Sequence, residues 1–181
     1  MIPEIRYTAT ALFFHWLVAL CVFVVFPLGV YAHGLTFSPL KLKLVSYHKW
    51  LGVTIFLLML ARLVWRAAHA PPPPLLTIPL WQRRAAHSLH HLLYALLLAV
   101  PLSGWLMSSA KGFPIVYLGL VQLPDLVGKN AELGDWLKAV HAALSFGLSA
   151  LVGLHVAAAL KHHFIDRDAT LHRILPFTKK I

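Results

Sequence analysis

Residues 10–32 read TALFFHWLVALCVFVVFPLGVYA, and no Asp, Glu, Lys or Arg occurs anywhere from Tyr7 to Leu40. A hydrocarbon core of about 30 Å is crossed by about 20 apolar helical residues. The stretch is therefore expected to be a membrane-spanning helix. It is too long for the apolar core of a signal peptide, lacks the usual basic leader and has no clear small-residue cleavage site before the next loop, so it is expected to be retained. Three further apolar runs follow, at about 45–67, 86–109 and 139–161. The second is the least clean, with Lys49 near its start and Arg62 and Arg66 near its end. Runs this long and continuous are helical, because barrel strands are shorter and alternate. The expected fold is all-α, a transmembrane four-helix bundle forming a single domain over residues 1–181.

Composition agrees. Of 181 residues, 59% are hydrophobic and 12% charged, with a mean hydropathy of +0.73. A soluble domain carries about a quarter charged residues. Disorder, coiled coil and collagen are excluded on the same numbers. The single cysteine, Cys21, excludes a disulfide framework and a cysteine-based metal centre. The net charge of +10 is not gathered into polar runs but sits between the apolar stretches, which argues for basic membrane loops and against nucleic acid.

The connections sharpen this picture. Pro71–Pro74, with Pro79 following, cannot be helical and is expected to form an extended surface link. Residues 112–128 are apolar but broken by Pro114, Pro124 and glycines, and are expected to be an interfacial excursion instead of a fifth span. The side holding both termini and the 62–87 connection carries ten Lys and Arg, among them Arg6, Arg83, Arg84, Lys161, Arg173, Lys179 and Lys180. The other side carries six: Lys41, Lys43, Lys49, Lys111, Lys129 and Lys138. The positive-inside bias predicts cytoplasmic termini.

Twelve histidines, twice the number of acidic residues, need a chemical reason, because ionisable groups in lipid are costly. His15 lies near the cytoplasmic end of the first span and His155 near that of the fourth. His48 and His141 lie near the outer ends of the second and fourth. His141 and His155 are 14 residues apart, so they share nearly one helix face about 21 Å apart. Two histidine pairs should then stack one above the other. Facing imidazoles across a helical bundle are an axial ligand pair for haem iron. The absence of Cys-x-x-Cys-His makes the haem b-type. Zinc would need three or four convergent ligands. For any one of these residues alone, the simpler reading is a helix–helix hydrogen bond.

Two checks are available. The residues four after the proposed ligands are Ala19, Gly52, Ser145 and Ala159, all small enough to admit a porphyrin, although His91 with Ala95 passes too. Arg62 lies 14 residues after His48, the offset that separates His141 from His155, and so should point inward at the cytoplasmic tier, where a haem propionate would match its charge. His87 and His90 read as interfacial, and His91 as a rival partner for His15 or His155. His162, seven residues after His155, is a candidate hydrogen-bond or proton donor to a quinone. His163 reads as snorkelling, and His33, His69 and His172 as solvated loop residues. Pro101 with Gly104 reads as a kink and close-packing site. Lys41, Lys43, Lys49 and Lys138 either contact headgroups or draw a small anion to the outer site.

The chain resembles the bacterial cytochrome b561 family over nearly its whole length. The resemblance rests on Phe14-His15-Trp16-Leu17-Val18, His48 with Gly52, Arg62-Leu63, Tyr94 with Pro101 and Gly104, His141, and Gly153-Leu154-His155 followed by alanines and His162-His163. It implies that His15, His48, His141 and His155 are the ligands of two b haems and that the third helix supplies none. It further implies electron exchange with ubiquinone, for which His162 is the carried-over contact and Arg66 and His87 weaker ones. Some members are described as oxidising superoxide at the outer face; others serve as cytochrome subunits of hydrogenases or formate dehydrogenases. The resemblance also implies a bacterial inner membrane as the location, and the short chain favours the stand-alone type. The functional expectation is an oxidoreductase taking electrons from superoxide to ubiquinone. The alternatives are an electron-transfer subunit docked to a partner redox protein, and a transporter whose histidines move protons or bind metal.

Overall fold

A computed structural model of the chain describes residues 6–75 and 77–175, so Lys179 and Lys180 of the charge argument lie outside the described residues. Four long helices dominate: α1 (Ala9–Gly34), α2 (Pro39–Ala68), α3 (Leu80–Ala110) and α4 (Ala131–Lys161). All four are long and apolar enough to cross a membrane. The anticipated spans lie within them, and each helix runs past the apolar run into its flanks.

Local chemistry sets the ends. Thr8 caps α1 through Ala11 N at 3.3 Å, Ser38 caps α2 through Lys41 N at 3.3 Å, and Asn130 caps α4 through Leu133 N at 3.0 Å. Pro39 occupies the first position of α2, where its missing N–H costs nothing. A π-helical turn, His162–Asp166, prolongs α4 until Arg167 turns left-handed at φ 53°.

Packing follows chain order, with α1 against α2, α2 against α3 and α3 against α4. Val18, Cys21, Ile55 and Met59 form the tightest apolar cluster, joined by Tyr94, Leu97 and Leu98 of α3. It lies along α1 and α2 between the depth of His15 and that of His48. Many large apolar side chains, such as Phe13, Leu20, Phe23, Val64 and Leu154, are more than half exposed. That would be intolerable in water but suits a lipid-facing surface.

Residues 112–128 contain no helix. They form a small antiparallel hairpin, β1 (Val116–Tyr117) with β2 (Val121–Gln122), pairing Val116 with Gln122 and Tyr117 with Val121. Leu118 and Gly119 both have positive φ at its tip, at 54° and 74°. Side chains from two helices tie it down. Trp50 Nε1 donates to Val116 O at 2.7 Å, Lys49 Nζ to Phe113 O at 2.9 Å and Trp105 Nε1 to Pro124 O at 3.0 Å. The hairpin thus covers one end of the bundle. At the opposite, terminal end, Trp16 Nε1 donates to Ile174 O at 2.8 Å and Arg173 to Pro73 O at 3.0 Å. His172 packs its ring on His163 at 5.2 Å and is partly buried, so it is not the solvated loop residue anticipated. His33 belongs to the last turn of α1 and His69 stacks on Trp65 at 3.7 Å.

Candidate functional site

Two tiers of paired imidazoles cross the interior. In the terminal tier, His15 of α1 faces His155 of α4, with ring centres 6.3 Å apart and planes at 62°. In the hairpin tier, His48 of α2 faces His141 of α4 at 6.1 Å and 90°. α4 is uninterrupted between its two histidines, so the tiers stand about 21 Å apart along it. The anticipated pairing by depth and face is the pairing observed.

The separations are informative. Two metal–imidazole bonds of about 2 Å, plus about 1 Å from each nitrogen to its ring centre, put axial ligands about 6 Å apart. Both pairs meet that value. In the hairpin tier the outward nitrogens are engaged. His48 Nδ1 lies 3.0 Å from Val25 O, and His141 Nδ1 lies 3.1 Å from Val100 O and 3.0 Å from Ser103 Oγ. A backbone carbonyl can only accept, so each Nδ1 carries the proton and each Nε2 keeps its lone pair for a metal. The nitrogens of His15, His90 and His155 do not converge on one point; among the described residues the converging group is His162, Asp166 and Asp168. The tiers therefore suit a two-ligand axial metal and not tetrahedral zinc.

Arg62 reaches the terminal tier, as its spacing from His48 requires. Its Nη2 is 3.5 Å from His15 Nδ1 and its Nε donates to the Tyr94 hydroxyl at 2.9 Å. Arg66 joins it, and both guanidinium carbons lie 5.4 Å from the Tyr94 ring centre. Among the described residues neither arginine has a carboxylate partner. Two converging cations beside a ligand-like histidine pair make a site for anionic oxygens, which the propionates of a haem would provide. These residues fit haem b.

His90 is exposed, as an interfacial residue would be, yet it also reaches the terminal tier. Its ring lies 5.2 Å from that of His155. His91 is not the rival partner, because its Nδ1 bonds to His87 O at 2.8 Å and its ring lies 4.2 Å from that of His87. The two neighbours are about 100° apart around α3, and only the rotation of that helix selects between them. The sequence carried one unused signal: His90 lies four residues before Tyr94, on the same helix face.

His162 opens the π-helical turn and is largely buried. Its Nδ1 lies 2.6 Å from Asp168 Oδ2 and 3.3 Å from Asp166 Oδ2. Burial pushes the Asp168 carboxyl up, but hydrogen bonds from Thr170 and His162 outweigh it and hold the group below the ordinary carboxylate value. Asp166 is shared with Lys161 at 2.5 Å.

Four of the lysines at the hairpin end divide into two kinds. Lys41 Nζ caps the end of α1 through Leu35 O at 2.6 Å, and Lys49 is tied to the hairpin. Lys43 and Lys138 are exposed, Lys43 lying over the Tyr47 ring at 5.8 Å.

Four spanning helices with imidazole pairs at two depths define a class, the helical-bundle membrane cytochromes. The chain matches the prokaryotic cytochrome b561 family over residues 6–177 and belongs to it. It is therefore a multi-pass bacterial membrane protein of electron transfer, of a family that binds haem b. It is similar to cytochrome b561 homolog 2 of Escherichia coli K12, with 36% identity covering 96% of this chain and 92% of the relative. Cytochrome b561 homolog 1 of the same organism is 30% identical over 96% and 99% of the two chains. A protein of Yersinia pestis named "Probable superoxide oxidase CybB" is 31% identical over 94% and 96%.

Proposed function

We propose that the chain holds two b haems, one gripped by His15 and His155 and the other by His48 and His141, and carries electrons from superoxide at the periplasmic face to ubiquinone in the membrane. The observation that carries this reading is the pair of imidazole separations, 6.3 and 6.1 Å, repeated at two depths of one bundle. Haem b, when bound, supplies reversible one-electron chemistry. The chain's own residues hold it, set its surroundings and control access.

Each superoxide gives up one electron and becomes dioxygen. Two such electrons and two protons convert ubiquinone to ubiquinol. His162, with its Nδ1 on Asp168, is the residue for holding and delivering a proton at the cytoplasmic side through Nε2. Arg62, with Arg66 and Tyr94, neutralises propionate charge. Lys43 and Lys138 are exposed cations that attract an anionic substrate to the hairpin face. The termini lie in the cytoplasm, in agreement with the basic residues that crowd their side.

Support for superoxide as donor comes from the relative of that printed name and from the exposed lysines. Stopped-flow mixing of superoxide with the purified, oxidised protein tests it. Haem reduction faster than spontaneous dismutation is expected; its absence refutes the superoxide assignment. Co-purification with a dehydrogenase or hydrogenase, and little activity alone, would instead identify an electron-transfer subunit.

A further inference from the structure

Gly29 of α1 and Gly104 of α3 press against the two imidazoles of the hairpin tier. A β-carbon on Gly29 would lie 2.6 Å from Cε1 and 2.8 Å from Nδ1 of His48. One on Gly104 would lie 3.0 Å from Cε1 and 3.2 Å from Nδ1 of His141. The carbonyl that accepts each Nδ1–H belongs to the residue four before the glycine, Val25 in one case and Val100 in the other. Each helix also carries a proline between that carbonyl and the glycine, Pro27 and Pro101. Each such proline removes one intrahelical hydrogen bond from the same stretch. The arrangement therefore occurs twice, once in the α1–α2 hairpin and once in the α3–α4 hairpin, although the connecting loops differ.

We infer that Gly29 and Gly104 are positioning residues, each forming with the carbonyl four residues before it a seat that fixes one hairpin-side imidazole with Nε2 turned inward. The inference rests on the two-haem reading and goes beyond it. The physical reason is one of space. The ring must come within contact of a helix backbone for Nδ1 to reach the carbonyl, and only a residue without a β-carbon lets it approach. A methyl group at Gly29 pushes on Cε1, the atom beside Nε2, and would turn that nitrogen away from the space facing His141. The terminal tier is held differently, with His15 Nδ1 facing Arg62. A defect in the seats should thus be confined to one haem.

Gly29→Ala, Gly104→Ala, Ser103→Ala and, as a control, Gly34→Ala, whose new β-carbon meets nothing within 4 Å, separate the outcomes. The readouts are haem per protein, the low-spin ferric resonance spectrum and the redox titration of each haem. The haem lost in His48→Ala and in His141→Ala identifies the hairpin-side signal. Gly29→Ala should lose or markedly alter that signal alone, and Gly104→Ala should alter it less, in the order of the two contacts. Ser103→Ala removes one hydrogen-bond partner of His141 without crowding it and should shift the hairpin-side midpoint while keeping both haems. Unchanged hairpin-side spectrum and midpoint in both glycine variants would overturn the seats. So would equal disturbance of both haems by Gly104→Ala when Gly34→Ala disturbs neither. A wild-type preparation with fewer than two haems would refute the underlying reading instead, whatever the glycine variants do.

Discussion

Arg62 Nε donates a hydrogen bond to the Tyr94 hydroxyl at 2.9 Å while its Nη2 faces His15 Nδ1 at 3.5 Å, so one guanidinium links α2, α3 and α1 at the terminal tier. A cation so close to His15 would favour the reduced iron of a haem held there, because it offsets the added electron. Arg62→Gln should therefore lower the midpoint of the terminal-side haem by at least a tenfold change in its one-electron equilibrium, about 59 mV. Tyr94→Phe, which removes the hydroxyl and leaves the charge, should shift it less. Spectroscopic redox titration measures both. An Arg62→Gln midpoint equal to or above wild type would contradict the assignment.

Replacing any one of His15, His48, His141 and His155 by Ala should reduce haem content from about two per chain to about one. His15 and His155 variants should lose the same spectral component, and His48 and His141 variants the other. His90→Ala and His91→Ala should retain both haems. Pyridine haemochrome quantitation decides the matter, and loss of a haem in His91→Ala would count against the pairing.

Lys43→Glu combined with Lys138→Glu should slow superoxide-driven reduction about tenfold at low ionic strength and erase most of its salt dependence, since steering acts through exposed charge. Lys41→Gln should act mainly on stability, because Lys41 Nζ is committed to Leu35 O. Rates measured over a range of salt separate the two.

The Asp168 carboxyl, held below its ordinary value by Thr170 and His162, contributes stability to the segment after α4 only while ionised. The contribution is present in full above the unfolded carboxylate value of about 4 and is lost as pH falls through the lower folded value. Amide hydrogen exchange around Thr170 should be flat between about pH 7 and pH 5, after correction for intrinsic rates, and protection should collapse only below about pH 4. Asp168→Asn should remove the acid-dependent step. It should also lower the rate of quinone reduction by misorienting His162, whereas haem content should stay unchanged.

Much of this protein was legible from the chain alone. Apolar runs long enough to cross a membrane leave the backbone no alternative to helix, because every N–H and C=O must be satisfied within the segment. Fourteen-residue spacings, from His48 to Arg62 and from His141 to His155, brought depth and face with them, since both follow from the fixed rise and turn of an uninterrupted helix. Spacing along one helix, however, says nothing of how that helix is rotated against its neighbours. Only the packed bundle decided that His90 and not His91 approaches His155, and that Lys41 and Lys49 serve as structural ties. It alone set the backbones of Gly29 and Gly104 against the imidazoles of His48 and His141. Those relations depend on contacts between segments far apart in sequence, where an error of one residue in phase turns a side chain about 100° away from its partner.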